Sequence, residues 1–172
     1  MTSVRRATEN DVTALAQIRN DAHAKKLAHR DYAWGKEGDG FSEQWVRNNL
    51  SQRAVYIVEQ NATVVATFSL DLEDEQRWGI QEPEAAYVHG LGVAQGSNGR
   101  GLGRFMLDWC ASSVIKIGRR YVRLDCPVHN AKLCAFYESL GFVRVGLWQD
   151  PGPDGCIWSL YEKRAGASDM SE

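Results

Sequence analysis

Val93-Ala-Gln-Gly-Ser-Asn98-Gly-Arg-Gly101-Leu-Gly103 is a glycine-rich turn that follows an apolar, strand-like run and opens a helix-like one. Such a turn presents backbone N–H groups and a helix N-terminus to an anion, and pyrophosphate suits that arrangement. Two familiar phosphate turns fail on the letters. Gly96 and Gly101 have P-loop spacing, but Leu102-Gly103 stand where Lys and a hydroxyl residue belong. Gly99-Arg-Gly101-Leu-Gly103 brings the third glycine one residue early for a dinucleotide fingerprint. A second stretch, Asn130-Ala-Lys-Leu-Cys-Ala-Phe-Tyr137-Glu-Ser-Leu-Gly141-Phe142, reads as a short helix with Asn at its start, Tyr about two turns on and a Gly-Phe stop.

The remaining elements follow from periodicity. Residues 4–7 read as a strand, and Thr8-Glu-Asn-Asp11 resembles a capping box before Val12, Leu15 and Ile18 at helical spacing to about residue 24. Residues 25–40 are charged and aromatic, a loop or broken helix, and Ser42 caps a helix through Trp45, Val46 and Leu50. Runs 54–59 and 63–70 form a hairpin around Gln60-Asn61, 71–84 an exposed loop, and 85–93 the strand before the glycine turn. Leu102, Phe105, Met106, Trp109, Cys110 and Ile117 mark an amphipathic helix closed by Gly118. A strand at 121–126 precedes the Asn130 helix. A hairpin of 143–148 and 157–162 follows, and 165–172 reads as a frayed tail.

At 172 residues the chain suits one domain, placed at 1–164. A net charge of −2 gives no electrostatic case for nucleic acid or an anionic membrane. The N-terminus lacks an apolar signal core and no run is long enough to span a membrane, so a cytoplasmic location is expected. Cys110, Cys126, Cys134 and Cys156 form no C-x-x-C and no zinc pattern; no metal is expected, and the thiols read as reduced and structural. Cys134 is the exception to watch, sharing a helix face with Asn130 and Tyr137.

With both motifs in this order, the sequence resembles the GNAT superfamily of acetyl-CoA-dependent N-acyltransferases, over almost the whole chain. The resemblance implies an α/β fold: a mixed, mostly antiparallel sheet with a splayed central strand pair and helices on both faces. It implies that the pantetheine arm of acetyl-CoA enters between 85–93 and 121–126. There the backbone of Leu91 and Val93 would pair with it, and the Leu91 N–H would polarise the thioester carbonyl. Asn98, Gly99, Arg100, Gly101, Leu102, Gly103 and Arg104 would hold the pyrophosphate, although the family has Gln or Arg where Asn98 stands. Tyr137 would protonate the leaving thiolate, a phenol being protonated at neutral pH, and Asn130 would fix its helix and contact the cofactor arm.

The general base is left open. His89 leads because it shares side-chain parity with Leu91 and Val93 and titrates near neutrality; Tyr87, Glu82 and Glu84 are the alternatives. Tyr32, Trp34, Asp31, Asp39, Asp71, Glu73 and Asp150 lie where the family builds its acceptor pocket, and aromatic with acidic residues would suit a cationic amine. The expected reaction is acetyl transfer to a primary amine of a small molecule. Transfer to a protein or peptide amine, or a degenerate acyl-CoA-binding module, are the alternatives. A homodimer is compatible with all three.

Overall fold

The computed structural model describes residues 1–166. The strands are β1 Thr2–Arg6, β2 Val55–Gln60, β3 Thr63–Asp71, β4 Ala85–Val93, β5 Tyr121–Pro127, β6 Val143–Gln149 and β7 Ile157–Arg164. The helices are α1 Val12–Ala28, α2 Glu43–Gln52, α3 Glu75–Trp78, α4 Leu102–Lys116 and α5 Ala131–Ser139. The seven strands form one sheet in the order β1-β2-β3-β4-β5-β7-β6. Its β1–β2, β2–β3, β5–β7 and β6–β7 pairs are antiparallel, and β4–β5 is parallel. The parallel ladder pairs Ala85 with Tyr121, Ala86 with Val122 and Tyr87 with Arg123. No helix among the described residues is long and apolar enough to cross a membrane.

The chain divides into two compact units, one of Met1–Leu70 with His89–Met106, the other of Asp71–Val88 with residues from 107 on. In the first, the Asp11 carboxylate accepts the Thr8 backbone N–H at 2.7 Å and both Arg5 guanidinium nitrogens at 2.8 Å, which fixes the start of α1. Val12, Leu15 and Ala16 of α1 pack with Val46 of α2 and with Val55 and Ile57 of β2 in one buried cluster. Each Val, Leu or Ile side chain so withdrawn from water contributes about 1.5–3 kcal/mol. Farther along α1, Ile18 and Ala22 lie against Gly92 of β4, 3.4 Å from where a Cβ would stand. The β2–β3 hairpin turns on Asn61 and Ala62, both left-handed (φ 51° and 63°), the conformation a two-residue loop needs to match strand twist.

One sequence expectation changes in this unit: helix α1 runs four residues past its expected end, to Ala28. Of the two readings of the segment that follows, loop or broken helix, residues 30–41 are a loop. The Asn20 side chain clasps Phe41, accepting its N–H at 2.8 Å and donating to its carbonyl at 3.1 Å.

In the second unit, the loop expected at 71–84 contains the short helix α3. Its start is capped by Asp74, which accepts the Arg77 N–H at 3.2 Å. Strands β6 and β7 close around a turn in which Asp150 accepts the Gly152 N–H at 2.8 Å. Cys110, Val114, Val122, Leu124 and Tyr161 are almost fully buried. Of the expected tail, Ala165 is tied by its N–H to the Arg120 carbonyl at 2.8 Å, and residues from 167 lie outside the described ones.

Candidate functional site

In the first unit the glycine turn is held by α1. Asp21 accepts the Gln95 N–H at 2.9 Å, and Lys25, one turn farther along, donates to Asn98 Oδ1 at 3.1 Å. Sequence reading missed this brace. Its signal was the i, i+4 pair Asp21 and Lys25 on one helix face, but an exposed helix surface carries the same pattern. Asn98, the departure from the family motif, therefore recruits an α1 cation to the turn. Gly99 and Gly101 are left-handed (φ 77° and 73°), and a Cβ on either would meet no protein atom within 4 Å. Glycine is required there by backbone conformation, and the space before it stays open for a ligand. Helix α4 begins directly afterwards with Leu102, Gly103 and Arg104, no acidic residue in its first turn, and Phe105 bonded back to Gly101 at 3.0 Å. Arg100 and Arg104 are exposed on the same turn. Backbone donors, helix dipole and cations together suit a pyrophosphate.

Upstream on β4, Gly90 is left-handed (φ 63°) between His89 and Leu91. A left-handed residue interrupts the pleat, so the alternation that would put His89, Leu91 and Val93 on one face does not carry through Gly90. His89 is half-buried, and its carbonyl accepts the Ser69 hydroxyl at 3.4 Å.

Over Gly90 sits the guanidinium of Arg19, whose Nη2 occupies the position a Cβ would need. The group is enclosed by Trp34 (4.5 Å), Phe41 (5.4 Å) and Trp45 (4.8 Å). Phe41 in turn packs edge-on against Trp34 and Trp45. Burial, with the neighbouring Arg53 charge, pushes the Arg19 guanidinium down to about 10. These contacts correct the reading of the 31–39 segment as a receptor for a cationic amine. The Trp34 ring is already taken by Arg19 and by Lys26 at 5.0 Å. Asp31 is fully buried, pairs with Lys26 at 3.5 Å and accepts the Ala33 N–H, while Asp39 caps the Lys36 N–H at 2.8 Å. Tyr32 points to solvent, and Asp150 is engaged in the β6–β7 turn. No sequence signal marked Arg19, a polar residue between Ile18 and Asn20 on an ordinary helix.

In the second unit, Asn130 caps α5, its side chain accepting the Leu133 N–H at 3.2 Å, a contact worth about 1 kcal/mol. Tyr137, 5% exposed, lies among Phe136, Phe142 and Tyr161 at centroid distances of 5.6, 5.9 and 6.1 Å. Cys134 Sγ stands 3.6 Å from Cys126 Sγ, and neither is in a disulfide. Burial, together with a hydrogen bond to Cys134, raises the Tyr161 phenol well above its ordinary value.

Two of the three alternative bases are otherwise engaged. Tyr87 is buried and accepts a hydrogen bond from Arg123 at 2.8 Å, and Glu84 pairs with Arg120 at 2.5 Å and Arg123 at 3.6 Å. Glu82 is exposed.

Comparison with known proteins bears on both units. Residues 13–142 match the model of the Acetyltransferase (GNAT) family. The chain is 30% identical over 107 residues to YesJ of Bacillus subtilis, named as an uncharacterised N-acetyltransferase. The match covers 61% of this chain and spans only a little over half, 56%, of that relative. A GNAT-family acetyltransferase of Listeria monocytogenes superposes with a TM-score of 0.73 at 21% identity, covering 95% of this chain and 94% of that one. The Salmonella typhimurium protein yncA, solved with its cofactor acetyl-CoA, superposes with a TM-score of 0.65 at 16% identity over 99% of this chain and 98% of its own. At these identities the superpositions establish the fold alone.

Proposed function

Because the chain belongs to the Acetyltransferase (GNAT) family, we propose that it transfers an acetyl group from acetyl-CoA to a primary amine of a small molecule, by direct attack in a ternary complex. The observation that carries this reading is the braced glycine turn, with left-handed Gly99 and Gly101 leading into α4 and Lys25 drawn onto Asn98. Asn98, Gly99, Arg100, Gly101, Leu102, Gly103 and Arg104 bind the pyrophosphate. The backbone of Leu91 and Val93 holds the pantetheine arm, and the Leu91 N–H stabilises the oxyanion, worth about 3 kcal/mol in comparable sites. Asn130 orients α5, and Tyr137 donates its phenolic proton to the departing thiolate. His89 accepts the proton of the amine, directly or through water. Residues 1–164 act as one acetyltransferase domain, in a cytoplasmic setting.

Release of CoA thiol over a panel of amines, amino acids and peptides tests the assignment. Tyr137→Phe keeps the ring packing and should lower turnover by about 10²-fold while leaving acetyl-CoA affinity unchanged. His89→Gln should remove the enzyme limb from the pH profile of kcat/KM. Failure of millimolar acetyl-CoA to give any calorimetric signal would overturn the whole reading.

A further inference from the structure

Among the described residues, Arg19 makes no hydrogen bond and no ion pair, and its contacts are the three rings and the repulsion of Arg53. A guanidinium carries five N–H donors in a planar fork, and ring faces satisfy its charge but none of those donors. Arg19 is half-buried, and none of its nitrogens is both shut off from solvent and unpartnered, so the donors the rings do not use are open to an anion from outside the chain.

Its position is informative. Arg19 Cζ lies 3.0 Å from where a Gly90 Cβ would stand. Bond lengths from there through Gly90 Cα and C bring it no more than about 7 Å from the Leu91 nitrogen. On the acetyltransferase reading above, Leu91 is where the thioester carbonyl is held, and an attacking amine must come to about 3–3.5 Å from the carbonyl carbon. An anionic group met by Arg19 is then only a few bonds from the reacting nitrogen.

We infer that Arg19 is the carboxylate-recognition residue of the acceptor site, and that the acceptor is a free α-amino acid, whose amine and carboxylate are separated by a single carbon. The rings of Trp34, Phe41 and Trp45 hold the guanidinium in place beside Gly90, which lowers the ordering cost of meeting an anion there. A peptide N-terminus has a neutral amide where the free amino acid has its carboxylate, so the same geometry selects against peptide acceptors.

The inference rests on the proposed acetyl transfer, and the test separates the two. L-methionine, L-phenylalanine and L-glutamate are compared with their α-carboxamides on the wild type, Arg19→Met and Arg19→Lys. The wild type should prefer acid over amide in kcat/KM by about 30-fold or more, the scale on which an unpaired charge is felt. Arg19→Met should reduce the acid-to-amide ratio to near one, and Arg19→Lys should restore it in part. Calorimetric binding of the same acids and amides to the CoA-bound protein is read in parallel. It decides the role of Arg19 even if no acceptor is turned over, an outcome that counts against the acetyl-transfer reading alone. Equal binding of acids and amides by the wild type, or an acid preference that survives Arg19→Met, overturns the inference.

Discussion

Arg19 and Arg123 are both wrapped in aromatic rings, yet they are different kinds of residue. Arg123, on β5, lies over Trp78 (5.0 Å), Tyr87 (5.7 Å) and Tyr121 (5.8 Å), much as Arg19 lies in its own cage. Its fork is also filled: Nε donates to Glu162 at 2.8 Å, one terminal nitrogen to the Tyr87 hydroxyl at 2.8 Å, and the other faces Glu84 at 3.6 Å. Burial works against the Arg123 charge, but the bonds to Glu162 and Tyr87 outweigh it and hold the guanidinium above its ordinary value. Arg77 follows the same rule, stacked 4.0 Å from Trp158 and paired with Asp125. For Arg19, burial lowers the guanidinium and no carboxylate opposes it. Rings bury a cation; carboxylates complete it. An arginine with rings alone is placed for an anion the chain does not supply.

The largest effect that would sharpen this contrast is on stability. Arg123→Met leaves Glu162 and the buried Tyr87 hydroxyl without the bonds Arg123 gives them and should cost about 3 kcal/mol by chemical denaturation. Arg19→Met removes a half-buried charge that no carboxylate pairs and should change stability by less than about 1 kcal/mol. Equal losses from the two would abolish the distinction.

A smaller effect is expected at Gly90. Gly90→Ala combines a left-handed backbone with a Cβ in the space of Arg19 Nη2, and should cost about 1–2 kcal/mol. In an Arg19→Ala background the steric part disappears, and only the backbone part should remain. An unchanged cost in the double variant would mean that the guanidinium does not press on the strand.

The smallest concerns Arg5, an exposed arginine completed by carboxylates with little burial. Its hydrogen bonds lead in holding the Asp11 carboxyl below the usual carboxylate range, and they outweigh the opposing effect of burial. A carboxyl lowered on folding stabilises the fold above its unfolded value near 3.9, and the contribution is lost as pH falls through the folded value. Asp11→Asn should therefore cost about 1 kcal/mol at neutral pH and flatten the acid limb of the stability profile. A steep acid limb retained by Asp11→Asn would place that titration on another group.

The comparison also separates what is local from what is not. The glycine turn, the capped helix ending at Gly141 and the two hairpins were legible because each is a short-range pattern: backbone conformation, a cap or a two-residue period. The acidic and aromatic residues of 31–39 were misread because composition reports charge and not partner. Asp31 and Asp39 turned out to bind backbone N–H groups, and Trp34 to hold cations of the chain itself. The parity argument for His89 assumes an unbroken pleat, and left-handed Gly90 stands between His89 and Leu91.

The sequence by itself determined the family, the order of the elements apart from the one-turn helix α3, the turn that suits a pyrophosphate and the tyrosine helix, since these depend on residues a few positions apart. The tertiary structure alone decided that Asp21 and Lys25 brace a turn more than seventy residues away. It alone decided that Arg123 is neutralised while Arg19 is not. Whether a charge is satisfied depends on which side chains folding brings within about 4 Å, and no spacing along the chain encodes that.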